Sequence, residues 1–126
     1  LHEIDTDTIM RRTSRRPLPT GRVAEWEAAL LGYGGAMVGV LCLAWGVNLL
    51  SAGLALASFV LYVFAYTPLK RVTSLNTVVG AVPGALPPLI GYAAMRGSLD
   101  MEAAWLFLML FIWQFPHFFA IAWLYR

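Results

Sequence analysis

The sequence predicts an all-α membrane protein with four membrane-spanning helices. Mean hydropathy is +0.68, 60% of the residues are hydrophobic and only 13% are charged, whereas about a quarter of an average soluble domain is charged. The charges are also segregated, since residues 28–66 and 72–95 contain no Asp, Glu, Lys or Arg. In residues 103–125 the ionisable side chains are His117 and Tyr125. This pattern excludes an ordinary soluble domain.

Four apolar segments are long enough to cross a bilayer. A membrane-spanning helix needs about 20 mostly apolar residues. The segments are apolar all round rather than on one face, which favours membrane helices over helices of a soluble core. We predict that a polar segment, residues 1–23, precedes helices over residues 24–46, 49–66, 77–95 and 103–125. All of them are expected to belong to one transmembrane domain, residues 1–126.

The basic residues lie on one side of the predicted bundle. Only Arg96 falls on the other side, where Asp100 and Glu102 are close to it in sequence. By the positive-inside rule, the side with the basic excess is cytoplasmic. The residues on that side are Arg11, Arg12, Arg15, Arg16, Arg22, Lys70, Arg71 and Arg126.

The polar segment before the first helix carries acids spaced for metal binding. Glu3 and Asp7 are one helical turn apart, so on a helix both carboxylates face the same way. Paired carboxylates suit Mg²⁺, which also binds phosphate oxygens. The arginines that follow can bind phosphate in a bidentate manner. The alternative is a solvated charge run whose arginines only set the topology.

The connection after the second helix is a second candidate for phosphate binding. Tyr66 and Lys70 are four residues apart and would share a face if the helix continued, although Pro68 favours an interruption. Arg71 adds a second cation on the same predicted side as the acidic pair. The alternative is an interfacial aromatic residue followed by a topology signal.

The third predicted helix has breaks in its backbone hydrogen bonding. It contains three prolines, each of which removes a donor. Gly80 and Gly84 form a small-xxx-small pair, as Gly35 and Gly39 do in the first helix. Freed backbone groups at membrane depth are tolerated where protein or a cavity satisfies them. We expect a kinked, tightly packed helix, a kink that opens a central cavity, or both.

The fourth predicted helix contains a candidate functional cluster. An ionisable residue inside a membrane segment, here His117, is a functional-site hypothesis. Trp113 and Gln114 lie four and three residues before it, so the three side chains occupy adjoining faces. Pro116 cannot donate to the carbonyl of Ile112, which predicts a bend. The alternative is that His117 only bonds to a neighbouring helix.

Together these motifs resemble the UbiA-type intramembrane prenyltransferases. Residues 3–18 are similar to the first acidic motif of that family, and residues 66–71 are similar to its Tyr-x-x-x-Lys element. Residues 84–91 and 113–118 resemble the haem-farnesylating branch more narrowly. The resemblance covers the whole chain, but the family has about nine crossings of about 20 residues each. We therefore expect a middle fragment of a larger UbiA-type bundle.

The resemblance implies transfer of a farnesyl group from farnesyl diphosphate to the vinyl group of haem b, giving haem O for terminal oxidase haem biosynthesis. Mg²⁺ is implied as the cofactor and a bacterial inner membrane as the location, with the acidic and basic loops in the cytoplasm. Oxidase-assembly or haem-handling proteins are implied as partners, and nucleic acid is not. An upstream Asn and a second acidic motif of the family fall outside these residues, so the fragment alone is expected to be inactive.

The resemblance also assigns roles to individual residues. An aromatic wall is expected to keep water from the allylic cation that forms when diphosphate leaves, and His117 is expected to contact the haem or its iron. The wall consists of Trp113, Phe115, Phe118 and Phe119. The catalytic residues are Glu3, Asp7, Lys70 and His117, of which Glu3 and Asp7 also bind the metal. The substrate-binding residues are Arg12, Arg16, Tyr66, Arg71, Asn76, Trp113 and Gln114.

Two other functions remain open at the level of sequence. A sister prenyltransferase that acts on a quinone precursor would keep the acidic pair together with Tyr66 and Lys70, but it would have no need of His117. A transporter or an assembly-scaffold fragment also fits four membrane helices. That alternative predicts no Mg²⁺-dependent binding of farnesyl diphosphate.

Overall fold

The computed structural model contains four helices, each long and apolar enough to cross a membrane. The described residues contain no strand. The predicted all-α architecture is therefore confirmed, and the chain is a multi-pass membrane protein. The structure describes Arg15, residues 17–18, 20–69 and 76–124. The helices are α1 (Glu25–Gly46), α2 (Leu49–Leu69), α3 (Asn76–Arg96) and α4 (Met101–Leu124).

Helix α2 runs three residues beyond its predicted end. Its turn Leu61–Tyr66 is π-helical, and the backbone N–H of Thr67 donates to the carbonyl of Tyr62, five residues earlier. The Thr67 hydroxyl donates to the same oxygen over 2.9 Å. A proline in a regular α-helix clashes with the carbonyl four residues before it, and the wider turn precedes Pro68 directly. Pro68 therefore does not interrupt the helix as far as Leu69, because the helix widens and continues through the proline. Lys70 lies outside the described residues, so its shared face with Tyr66 stays a prediction.

Helix α1 starts at a side-chain cap. The carboxylate of Glu27 accepts a hydrogen bond from the backbone N–H of Ala24 over 2.9 Å, as the third-position Glu of a capping box does. No residue of α1 is buried by the described part of the chain. Contacts divide the chain into two compact units, residues 1–39 and 40–126. The second unit contains α2, α3 and α4.

Helix α3 is the centre of the second unit, since it packs against both α2 and α4. Ala81, Ala85 and Ala93 are completely buried in these contacts. Small side chains allow helix backbones to approach closely, which is how membrane helices gain packing energy. The buried residues of α3 are Ala81, Pro83, Ala85, Leu86, Leu89 and Ala93.

Polar side chains at the start of α2 and in its first half bond to backbone carbonyls of α3. Because hydrocarbon offers no competing water, such groups need partners within the protein. The ladder fixes the register of the two antiparallel helices. In it, Asn48 donates to Ala93 over 2.8 Å, Ser51 to Ile90 over 3.2 Å and Ser58 to Pro83 over 3.3 Å.

The contact between Ser58 and Pro83 satisfies a backbone group that a proline frees. Pro87 has no N–H, so the carbonyl of Pro83 has no helical donor four residues later. The hydroxyl of Ser58 takes that place. The tight packing predicted for α3 is confirmed at this level, and α3 is one continuous helix from Asn76 to Arg96.

Candidate functional site

Two of the predicted substrate-binding residues meet one face of α3. The ring of Tyr66, from α2, lies so close to Gly80 that a Cβ there would be 2.6 Å from its Cδ2 and Cε2 atoms. The side-chain amide of Gln114, from α4, lies against Gly84 in the same way. Side chains four residues apart on a helix are about 5–6 Å apart at Cβ. Tyr66 and Gln114 therefore occupy neighbouring positions on this face.

Gln114 is the buried polar side chain of α4. It is 8% exposed, and its Nε2 donates to the carbonyl of Ala81 over 3.0 Å. A second, longer contact of Nε2 reaches the carbonyl of Leu110 over 3.4 Å. The amide thus joins α4 to α3. Its predicted role in substrate binding stays a prediction.

Trp113 and His117 form a stacked pair on α4. Their ring centroids are 4.8 Å apart and their planes differ by 13°. Phe118 lies beside the histidine, with ring centroids 5.9 Å apart. Gln114 is buried whereas Trp113 is 56% exposed and His117 is exposed. The three side chains occupy adjoining faces of α4, as the spacing predicted. The Gln114 face is buried, whereas the face of the stacked pair is exposed.

The predicted aromatic wall is not enclosed by the described part of the chain. Trp113, Phe118 and Phe119 are exposed and Phe115 is half-buried. Trp113 is joined to Phe118 through the ring of His117, whereas Phe115 lies about 200° round the helix from Trp113, so the four rings do not share one face of α4.

Asn76 begins α3 at the end where Tyr66 packs. It is half-buried, and its side-chain oxygen accepts a hydrogen bond from the hydroxyl of Thr77 over 3.2 Å. The rings of Tyr62 and Tyr66 are 5.3 Å apart between centroids. This end of the second unit therefore carries phenol and amide groups next to the connection between α2 and α3.

The predicted metal and phosphate ligands lie outside the described residues. In the described ranges, no three His, Cys, Asp or Glu side chains are grouped so that they could hold a metal. The metal site and the phosphate clamp stay predictions. The residues concerned are Glu3, Asp7, Arg12, Arg16, Lys70 and Arg71.

A polar cluster that sequence reasoning missed lies where α3 passes into α4. The hydroxyl of Tyr92 is 2.6 Å from each carboxylate oxygen of Asp100, and Arg96 pairs with Glu102 over 3.3 Å. The Tyr92 hydrogen bond holds the pKa of the Asp100 carboxyl below its ordinary value. Asp100 also caps α4 by accepting from the backbone N–H of Ala103 over 3.2 Å. The sequence shows a group of charged residues on either side of Gly97, but it gives no sign that Tyr92 belongs to the cluster.

Comparison with known protein families identifies the family of the chain. The model of the UbiA prenyltransferase family matches residues 1–126. This match spans every residue of the sequence. The chain belongs to the UbiA prenyltransferase family. No solved structure matches it.

Relatives of this UbiA-family chain share nearly half of its residues. A protoheme IX farnesyltransferase of Solibacter usitatus is 49% identical over 99% of the chain, and one of Koribacter versatilis is 47% identical over 98%. The mitochondrial protoheme IX farnesyltransferase of Arabidopsis thaliana is 46% identical over the full chain. The chain covers 43%, 40% and 29% of these relatives, respectively.

Within this UbiA-family chain, the structure joins two motifs that are far apart in sequence. Tyr66 of the Tyr-x-x-x-Lys element and Gln114 of the fourth-helix motif both lie against glycines of α3. The spacing of Gly80 and Gly84 predicted a close approach, and the approach is confirmed. What the spacing did not reveal is that each glycine accommodates a side chain from a different helix.

Proposed function

We propose that the full-length protein transfers the farnesyl group of farnesyl diphosphate to haem b, giving haem O. The observation that carries the proposal is the identity of 46–49% with protoheme IX farnesyltransferases from two bacteria and a plant, over 98–100% of this chain. The names of those relatives state both the transferred group and the acceptor. The grouping of Tyr66 and Gln114 on one face of α3 supports a site within this part of the bundle.

The diphosphate would bind at the end of the bundle that holds the connection between α2 and α3. Carboxylate oxygens are the ligands that divalent cations such as Mg²⁺ prefer, and Glu3 with Asp7 supplies them. When bound, Mg²⁺ withdraws charge from the leaving diphosphate. The remaining charge falls to the cations of the two motifs, which bind phosphate oxygens directly. These cations are Arg12, Arg16, Lys70 and Arg71.

The transfer itself breaks the bond between C1 of the farnesyl chain and the diphosphate oxygen, which keeps the electron pair. The allylic cation is captured by the terminal carbon of the haem vinyl group. Water then adds to the neighbouring carbon and releases a proton, which leaves a hydroxyl group on the product. Aromatic rings of α4 would lie beside the cation, and each ring face that meets it contributes about 0.5–2 kcal/mol of attraction.

Tyr66 and Asn76 would lie between the diphosphate and the aromatic residues of α4. Both belong to the end of the second unit where the phosphate-binding connection begins. The Tyr66 ring is held against Gly80, so its hydroxyl is carried by a fixed ring rather than a mobile one. A donor of this kind suits a phosphate oxygen of the leaving group.

The acceptor can be identified directly. Membranes with the full-length protein and farnesyl diphosphate are expected to convert haem b into haem O and to leave a hydroxybenzoate acceptor unprenylated. Chromatography with mass detection measures both products, and membranes without the protein are the control. Prenylation of the hydroxybenzoate but not of haem b would assign the protein to quinone biosynthesis instead.

Substitution of His117 tests the haem side of the site. His117→Ala in the full-length protein is expected to lower haem O formation about tenfold or more. Imidazole is a good iron ligand, so its loss would leave the haem less well positioned for the reaction. The binding of farnesyl diphosphate should be unchanged. Unchanged haem O output would remove His117 from the catalytic residues.

The proposed orientation in a bacterial inner membrane is supported by the distribution of the basic residues. Single cysteines at Arg16 and Arg71 are expected to react with an impermeant maleimide from the cytoplasmic side, and one at Gly97 from the other side. Labelling of sealed vesicles of each orientation, with Cys42→Ala as the background, measures this. Reaction of the Arg71 and Gly97 positions from the same side would refute the four-crossing topology.

A further inference from the structure

The amide of Gln114 determines how α4 can be rotated against α3. Its Nε2 reaches the carbonyl of Ala81 on the other helix over 3.0 Å, and the side chain is 8% exposed. In a bilayer a buried amide has no water to bond to. Rotation of α4 about its axis would carry the amide away from Ala81 and leave it without that partner.

Gly84 provides the space in which the amide is seated. A Cβ at this position would collide with the Oε1 of Gln114, and it would lie 3.0 Å from the side-chain carbon Cδ. The amide therefore lies between the Ala81 carbonyl, which accepts its hydrogen bond, and the backbone of Gly84, which has no side chain. We name Ala81, Gly84 and Gln114 the glutamine slot.

The slot is coupled to the stacked pair through the backbone of α4. Trp113 precedes Gln114 directly, and His117 follows it by less than one turn. At about 100° per residue, Trp113 and His117 lie about 100° and 60° round the helix from Gln114. A rotation that unseats the amide therefore turns the Trp113–His117 pair by the same angle.

We propose that Gln114 is a positioning residue that sets the rotation of α4 and thereby aims the Trp113–His117 pair at the haem acceptor. This rests on the proposed function, because the pair is assigned to haem there. The two backbone carbonyls that Nε2 contacts, Ala81 and Leu110, occupy its donor protons. Gln114 acts through its neighbours and is not itself a catalytic residue.

The experiment uses the full-length protein in membranes, with the KM for haem b and for farnesyl diphosphate measured separately. Gln114→Met keeps the volume and removes the hydrogen bonds. Gly84→Ala obstructs the slot from the other helix. Gly91→Ala is the matched control, since no atom of the described residues lies within 4 Å of its added Cβ.

Gln114→Met and Gly84→Ala are each expected to lower kcat/KM for haem b about tenfold, because a misplacement of about 1 Å can cost up to a hundredfold. The KM for farnesyl diphosphate should stay within about twofold of the wild-type value, since Tyr66 is carried by α2 and packs on Gly80, and neither residue belongs to the slot. Gly91→Ala should match the wild type. A loss of packing alone would affect both substrates and would overturn the proposal.

A double variant tests whether Gly84 and Gln114 act together. If Gly84 acts only by making room for the Gln114 amide, Gly84→Ala lowers kcat/KM for haem b only when that amide is present. The double variant Gly84→Ala with Gln114→Ala should then have the same kcat/KM as Gln114→Ala alone. Additive losses would show that Gly84 and Gln114 act independently, and they would overturn the positioning role. If the wild type prenylates another acceptor, the proposed function fails, and the same variants test the slot with that acceptor.

Discussion

Glu3→Gln or Asp7→Asn in the full-length protein is expected to lower turnover about 10²–10³-fold. Each change removes one carboxylate from the pair that is proposed to hold Mg²⁺ with the diphosphate. A metal contributes several kcal/mol of charge stabilisation in a transition state, and about 1.4 kcal/mol corresponds to a factor of ten in rate. Single-turnover formation of haem O at saturating Mg²⁺ measures the loss, and membrane insertion should be unchanged.

Asp5→Asn is the matched control for this acidic pair. Two residues along a helix correspond to about 200° of rotation, so on the helix predicted from the spacing Asp5 would point away from the face that Glu3 and Asp7 share. Its substitution is expected to cost much less than either of the others. If Asp5→Asn were as damaging as Asp7→Asn, the two-carboxylate helix would be wrong, and an irregular loop that uses all three acids would replace it.

The sequence predicts the helices of this protein well because length and apolarity alone decide them. Hydrocarbon requires about 20 apolar residues for each crossing, and α1, α3 and α4 begin and end within two residues of the predicted bounds. The end of α2 differs because two physical effects compete at Pro68. The proline removes a donor and introduces a clash, but a π-helical turn over Leu61–Tyr66 relieves it without ending the helix.

Contacts between helices are the part that the sequence does not reveal. The small-xxx-small spacing of Gly80 and Gly84 predicts a close approach, yet the partners, Tyr66 and Gln114, depend on the register in which α2 and α4 meet α3. The same spacing at Gly35 and Gly39 meets no atom of the described residues within 4 Å. Spacing therefore identifies a surface that can pack closely, whereas the partner is set by the tertiary arrangement.

The arrangement around α3 places two motifs with different proposed roles along one helix face. Gly80 accommodates the ring of Tyr66, which is proposed to bind phosphate, and Gly84 accommodates the amide of Gln114, which is proposed to act on the haem side. A substitution at each glycine should therefore disturb a different substrate. Comparing substitutions at Gly80 and Gly84 therefore tests whether the two substrates are bound at different positions along α3.

Gly80→Ala is expected to raise the KM for farnesyl diphosphate about tenfold or more and to leave the KM for haem b nearly unchanged. The added Cβ would lie 2.6 Å from two ring carbons of Tyr66, so the ring must move. Overpacking of this kind costs about 1–3 kcal/mol, and a displaced Tyr66 hydroxyl would no longer reach the diphosphate. Steady-state kinetics of the full-length protein in membranes measures both constants.

Two further variants show whether Tyr66 transmits the effect. Gly91→Ala adds the same methyl group to the same helix without a neighbouring atom of the described residues within 4 Å, and it should leave both KM values unchanged. Tyr66→Ala removes the ring, so Gly80→Ala in that background should cause no further loss if the two residues act as a coupled pair. If the KM for haem b rose instead, Tyr66 would belong to the haem side of the site, and the separation of substrates along α3 would be wrong.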